Sequence, residues 1–153
     1  MDGDLDSFRP GTDGPTALFL DTSALFAHFH PEVAEHDSVT AFFERVGANE
    51  IPYRPLYTST YVLDELATLL LSKGTHECAT TALSRTTESE SIDVLPEADD
   101  EFAEARARFQ QYDDHEISFT DHLSAVQMRE RDVDHVLAYD GDFATLGFEQ
   151  IPR

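Results

Sequence analysis

Short apolar runs alternate with longer stretches of helical periodicity along this chain of 153 residues. Four runs predict strands: "ALFL" (17–20), the weaker "RPLYTS" (54–59), "SIDVLP" (91–96) and "HVLAYD" (135–140). A fifth run, "FEQIP" (148–152), predicts an edge strand. Because strands that alternate with helices form parallel sheets covered by helices, the pattern predicts one α/β domain with a mostly parallel central sheet.

The helical stretches carry signals at their ends. The helix predicted over 60–73 is closed by Gly74, and the one around Phe42 starts at Asp37 or Ser38 and stops at Gly47. Pro96 precedes an acidic first turn, which suits the N-terminus of a helix dipole. The other helices are predicted over 75–88, from a cap at Thr120 to about Arg131, and as a short turn over 142–147.

Two of the predicted strands end in an aspartate. Asp21 follows "LFL", and Asp140 ends "VLAYD". Since the carboxyl ends of parallel strands meet at one edge of a sheet, we expect both carboxylates at the edge where α/β proteins bind ligands.

Two acids on predicted helices can join them. Glu65 lies one turn from Val62 and Leu69, beside the apolar stripe of its helix, whereas Asp64 points about 100° away. Asp121 falls in the first turn of its helix, where the helix dipole favours a carboxylate.

Four converging carboxylates repel one another unless a cation or protons neutralise them. Mg²⁺ and Mn²⁺ take oxygen ligands, and two such ions can activate water and stabilise the leaving oxygen of a phosphodiester. Acids make up 31 of the 153 residues, however, so a plainer interpretation stays open at this point. In that interpretation Asp21 and Asp121 cap turns, while Glu65 and Asp140 are solvated surface acids.

The local contexts of the four acids resemble those of the PIN-domain ribonucleases, and in particular the toxins of VapBC-type toxin–antitoxin pairs. The segments "LFLDTSALF", "STYVLDELATLLL", "ISFTDHLSAVQM" and "VLAYDGDFATLGF" occur in that family's order and at about its spacing, across residues 17–152. The resemblance implies a PIN-like three-layer fold. It also implies four acidic site residues: Asp21, Glu65, Asp121 and Asp140.

The same resemblance assigns auxiliary residues and partners. Ser23 matches a hydroxyl that orients the first acid, Thr120 precedes the third acid, and Asp142 matches an auxiliary acid after the fourth. Mg²⁺ or Mn²⁺ is the implied cofactor and RNA the implied substrate. A homodimer and a small inhibitory antitoxin are the implied partners. The chain departs from the family at Ala138, where a hydroxyl residue is common, and at His122, where a small residue is common.

Charge and composition give expectations about the environment of the protein and about its N-terminal segment. The net charge of −21, with nine Arg and one Lys, indicates a surface adapted to high salt. At high salt the repulsion between the acidic surface and RNA is screened. The alternative is an ordinary acidic protein with a basic partner. One Cys and the absence of any long apolar run favour a reduced, cytoplasmic protein without a membrane anchor. Residues 1–15 are rich in acids, Gly and Pro, so we expect a disordered lead-in before a single domain over 16–153.

Several other residues receive plainer interpretations. His28 and His30 fall near the end of a predicted helix, where surface or cap roles are expected, and Phe102, Ala105 and Phe109 are predicted to mark the inner face of theirs. The sequence does not choose among the Arg residues that could contact phosphate, which are Arg45, Arg54, Arg106, Arg108, Arg129 and Arg131.

Three alternatives to a toxin nuclease stay open. The first is an inactive PIN-like binding module, although all four acids are present, and the second is a housekeeping RNA-processing nuclease. The third is a phosphatase with an Asp nucleophile, which would favour Asp where the chain has Ser23.

Overall fold

The computed structural model describes residues 2–113 and 116–153 and contains a five-stranded parallel sheet flanked by helices. The strands are β1 (Thr16–Leu20), β2 (Tyr53–Ser59), β3 (Ile92–Leu95), β4 (His135–Leu137) and β5 (Glu149–Ile151). The helices are α1 (Thr22–Phe29), α2 (His36–Gly47), α3 (Thr60–Lys73), α4 (His76–Glu88), α5 (Asp99–Gln111), α6 (Phe119–Glu130) and α7 (Asp142–Thr145). The predicted α/β class and mostly parallel sheet are therefore confirmed.

The strand order β3-β2-β1-β4-β5 places β1 at the centre of the sheet. Leu18, Phe19 and Leu20 of β1 are fully buried, which explains why this strand is an uninterrupted apolar run. From β1 the chain winds outward through β2 and β3, and it then returns to lay β4 on the other side of β1. The gap between the carboxyl ends of β1 and β4 is thus the point where the winding reverses, the usual place for a ligand site in such a sheet.

The segment before β1 differs from the expected disordered lead-in. A 3₁₀ helix spans Asp2–Phe8, and the side chains of Leu5 and Phe8 are buried in the main core. The Phe8 ring stacks on Phe42, and the hydroxyl of Tyr53 donates a hydrogen bond to the Phe8 carbonyl oxygen at 2.5 Å. The acidic and Gly-rich composition concealed this packing, because two apolar residues three positions apart are enough to attach a short helix to the core.

Helix α5 also differs from its predicted orientation. Ala105 is buried against α6, but Phe102 and Phe109 are 40% and 47% exposed. The expectation that both phenylalanines lie on the inner face is therefore wrong. The rings of Phe102 and Phe109 both contact Phe119 at the start of α6, so an aromatic cluster extends from the helix pair to the surface.

Among the described residues, no helix is both long enough and apolar enough to cross a lipid bilayer.

Candidate active site

Asp21 leaves the end of β1 and caps the N-terminus of α1. Its side chain is 1% exposed, and its Oδ2 accepts hydrogen bonds from the Ser23 backbone N–H (3.2 Å) and hydroxyl (2.8 Å). Its Oδ1 is buried and has no hydrogen-bond partner within the described ranges. The cap interpretation is thus correct as local geometry, but it accounts for only one of the two carboxylate oxygens.

Ser23 connects the ends of the two central strands. Its hydroxyl donates to Asp21 and accepts a hydrogen bond from the Tyr139 backbone N–H at 2.9 Å, just after β4. The backbone N–H of Asp21 donates to the Leu137 carbonyl oxygen of β4 at 3.1 Å. These bonds fix the position of Asp21 relative to the segment that carries Asp140.

Asp140 lies half-buried beyond the end of β4, and its Oδ1 accepts a hydrogen bond from the Asp142 backbone N–H at 3.3 Å. Gln150 of β5 supports this segment, because its side-chain amide donates to the carbonyl oxygens of Ala138 (3.2 Å) and Asp140. Sequence reasoning missed Gln150. A polar residue in a predicted edge strand gives no signal that its side chain reaches across to a neighbouring strand end.

Asp121 stands in the first turn of α6 and is 6% exposed. The helix is capped by Ser118, whose hydroxyl accepts from the Asp121 backbone N–H at 3.1 Å, and not by Thr120 as the sequence suggested. Thr120 is half-buried inside the first turn. Carboxylate oxygens of Asp121, Asp140 and Asp142 lie within 4.8 Å of one another, so Asp142 belongs to the cluster as closely as Asp140 does.

Glu65 projects from α3 and is half-buried, whereas its neighbour Asp64 is exposed. The charge of Glu65 contributes to raising the pKa of Asp121, so the two carboxylates lie near enough to interact. The structure therefore brings together all four acids that the sequence singled out.

Burial and mutual repulsion dominate the electrostatics of the cluster. Burial raises the pKa of Asp121 to about 9, with further increases from the charges of Asp21, Asp140, Glu65 and Asp142. Burial and the charge of Asp140 raise the pKa of Asp21 to about 7, against the lowering effect of its bonds to Ser23. Burial also raises the pKa of Asp140. These carboxylates cannot all be ionised at neutral pH without a counter-ion.

The donor set fits a hard divalent cation. The ligand atoms of Asp121, Asp140 and Asp142 are all carboxylate oxygens. Asp21, whose charge acts on Asp121, adds an Oδ1 that is buried and lacks a partner within the described part of the chain. Mg²⁺ and Mn²⁺ prefer such oxygen ligands, and a 2+ charge would offset the repulsion that raises these pKa values. The cluster can therefore hold a divalent ion.

The two departures from the family pattern have different consequences. Ala138 is buried, and its carbonyl oxygen accepts a hydrogen bond from the side-chain amide of Gln150. His122 is 2% exposed, and its ring packs on those of Tyr112 and Phe109, with centroid distances of 5.3 and 6.0 Å. Burial, followed by Arg129 and Arg108, lowers the pKa of His122, which favours a neutral ring beside the site.

Most of the Arg candidates for phosphate contacts are engaged elsewhere. Arg45, Arg108 and Arg131 form ion pairs with Glu50, Glu104 and Glu101, respectively. Arg129 donates to the Leu146 carbonyl oxygen and covers the Phe148 ring.

A parallel sheet with a cluster of carboxylates at the point where its winding reverses defines a class of metal-binding α/β proteins. The PIN domain family matches residues 18–149 of this chain. The chain therefore belongs to the PIN-domain family, which is a family of nucleases, and the resemblance inferred from the four motifs is confirmed.

Individual relatives agree with the family assignment. The 23S rRNA-specific endonuclease VapC20 of Mycobacterium tuberculosis (strain ATCC 25618 / H37Rv) is 29% identical over 136 residues, which cover 88% of this chain and 97% of that protein. The crystal structure of M. tuberculosis VapC20, described as a sarcin–ricin loop cleaving toxin, matches with a TM-score of 0.75 and 30% identity, over 86% of this chain and 95% of that chain. VapBC2 of Rickettsia felis, bound to a DNA fragment from its promoter, shares the fold at 15% identity, with a TM-score of 0.63 over 88% of this chain and 97% of that chain.

Proposed function

We propose that this chain is a divalent-metal-dependent endoribonuclease that hydrolyses RNA phosphodiesters and acts as the toxin of a toxin–antitoxin pair. The observation that carries the proposal is the convergence of Asp21, Glu65, Asp121 and Asp140 at one edge of a PIN-domain sheet. Loss of activity would have removed the need for buried acids that destabilise one another. Their retention supports a nuclease over an inactive binding module.

The four acids would hold Mg²⁺ or Mn²⁺, with Asp142 as an additional oxygen donor. When bound, the metal supplies positive charge that lowers the pKa of water and stabilises the departing oxygen of the phosphodiester. Ser23 holds Asp21 in position and joins it to the strand end beside Asp140. Gln150 fixes the backbone on either side of Tyr139, and so fixes the direction of the Asp140 carboxylate.

Ribosomal RNA is the first substrate to test, because a relative that aligns with 88% of this chain is a 23S rRNA-specific endonuclease. End-labelled ribosomal RNA should be cut at discrete positions when Mg²⁺ or Mn²⁺ is present and should stay intact with EDTA. Asp121→Asn should reduce cleavage by on the order of 10²–10³-fold, because it removes a carboxylate that would hold the metal, whose positive charge stabilises the transition state. Circular dichroism and melting should show that the variant stays folded; full cleavage by this folded variant would refute the assignment.

Toxicity is tested separately from cleavage. Expression of the wild-type chain should arrest growth, expression of Asp121→Asn should not, and co-expression of a small antitoxin should restore growth. Cleavage in vitro without growth arrest would favour a housekeeping nuclease. The structural relatives include toxin–antitoxin complexes, which supports an antitoxin partner. We propose that the chain and this partner are cytoplasmic.

We also propose that the chain forms a homodimer through the exposed aromatic cluster of Phe102, Phe109 and Phe119. Exposed aromatic rings in one cluster are typical of protein interfaces. Sedimentation should give twice the mass of one chain, and the double variant Phe102→Ser/Phe109→Ser should sediment as a monomer. A wild-type monomer at micromolar concentration would contradict this part of the proposal.

A further inference from the structure

A second cavity, of about 560 Å³, is lined by none of the residues of the carboxylate cluster. It lies among α1, α2, β2, the end of α4 and the start of β3. Its apolar wall is formed by Leu25, Phe29, Phe43, Leu56 and Ile92. The volume is within the range of about 300–1,000 Å³ that is typical of small-molecule sites.

The charge around this cavity is opposite to that of the whole chain. Acids are 31 of the 153 residues, yet none is among the described residues that line the cavity. Arg54 and Arg85 both line it and are exposed, and neither guanidinium group has a hydrogen-bond or carboxylate partner among the groups that the structure describes. Three other arginines, Arg45, Arg108 and Arg131, do pair with carboxylates. The two guanidinium groups are thus an uncompensated pair of positive charges in a strongly acidic protein.

One of the lining residues also carries a buried hydroxyl without a partner among the described residues. Thr86 lines the cavity and is 2% exposed, and its Oγ1 has no hydrogen-bond partner in the described chain. A buried polar group without a partner costs about 1–3 kcal/mol, so such groups normally meet a ligand or water. His28, also in the lining, has its pKa lowered by burial and then by His36 and Arg85, consistent with an electropositive wall.

We propose that this cavity binds a small organic anion. Its apolar body would pack on the wall formed by α1 and α2, its phosphate or carboxylate group would pair with Arg54 and Arg85, and Thr86 would donate to it. Guanidinium groups bind carboxylates and phosphates through two parallel hydrogen bonds, which gives the pair its specificity for anions. The proposal does not depend on the nuclease function.

Calorimetric titration of the full-length chain in EDTA tests the proposal, because without a divalent ion the carboxylate cluster repels anions. Phenyl phosphate and benzoate represent the two anionic groups. Of the two control ligands, inorganic phosphate lacks the apolar body and benzyl alcohol lacks the anionic group. Saturable binding of either organic anion, at least about tenfold tighter than both half-ligands, is expected because charge and apolar contact act together. The tighter of phenyl phosphate and benzoate identifies the anionic group that the site prefers.

Matched variants locate the binding. Arg85→Gln and Arg54→Gln should each weaken binding by about tenfold or more, and Thr86→Val by a smaller factor. Arg106→Gln removes an exposed arginine of α5 that does not line the cavity, and it should leave the affinity unchanged. No saturable binding, equal affinity for inorganic phosphate, or an equal loss in Arg106→Gln would each overturn the proposal.

Discussion

The carboxylate edge of the sheet and the arginine-lined cavity carry charges of opposite sign within one chain. At the edge, buried acids repel one another and raise the pKa of Asp121 to about 9, so the site needs a cation. At the cavity, Arg54 and Arg85 have no carboxylate partner in the described chain, so the site can accept an anion. The net charge of −21 predicts neither result. Local charge depends on which side chains the fold brings together.

The largest expected effect separates two adjacent acids of α3. Glu65→Gln should reduce RNA cleavage by on the order of 10²–10³-fold, because Glu65 faces the cluster. Asp64→Asn changes an exposed acid on the same helix and should cleave at the wild-type rate. Initial rates on labelled RNA measure both. Equal cleavage rates for the two variants would show that Glu65 does not contribute to RNA cleavage.

The stabilisation of the fold by each ligand, measured in variants of either site, tests whether the two regions bind independently. Mg²⁺ at about 100 times its dissociation constant should stabilise the wild-type fold by about 2.7 kcal/mol, since it binds the folded site. Asp140→Asn should lose this response but keep the stabilisation by the organic anion, and Arg85→Gln should show the reverse. Differential scanning calorimetry records both shifts. Loss of both responses in either variant would mean that the two sites are not separate.

A smaller effect is expected from the hydroxyl that joins the two strand ends. Ser23→Ala removes the hydrogen bonds to Asp21 and from Tyr139, and it should weaken Mn²⁺ binding by roughly 10–100-fold. Ser84→Ala, at an exposed position of α4, is the control and should bind Mn²⁺ as the wild type does. Calorimetric titration with Mn²⁺ gives both affinities. Unchanged affinity in Ser23→Ala would assign Ser23 to helix capping alone.

The smallest effect concerns stability and pH in the metal-free chain. The folded Asp121 carboxyl keeps its proton up to a pKa of about 9, whereas the unfolded chain releases it near 3.8. The folded state therefore binds more protons in this window, and its stability falls as the pH rises. Asp121→Asn should reduce this slope and be more stable than the wild type at pH 9 by roughly 1–3 kcal/mol. Urea unfolding from pH 5 to 9 measures the difference; parallel curves would show that Asp121 is not buried among other acids.

The sequence by itself determined the strand and helix alternation, the parallel sheet and the order of the four acidic motifs. Each depends on local information: an apolar run such as residues 17–20, a Gly after a helix, or a carboxylate directly after a strand. Asp21 and Asp140 were placed together correctly because the ends of neighbouring parallel strands must share one edge. Helix periodicity was enough to prefer Glu65 over Asp64.

Only the tertiary structure decided the features that depend on contacts between distant segments. The composition of the N-terminal segment gave no sign that Phe8 packs on Phe42, and helical spacing did not show that Phe109 is exposed. The amide of Gln150 reaches the Asp140 segment because the sheet order places β5 beside β4. Arg54 of β2 and Arg85 of α4 line one cavity because the fold brings these two distant segments to it. Side-chain partners across strands and helices are set by packing of the whole domain, and no local pattern encodes them.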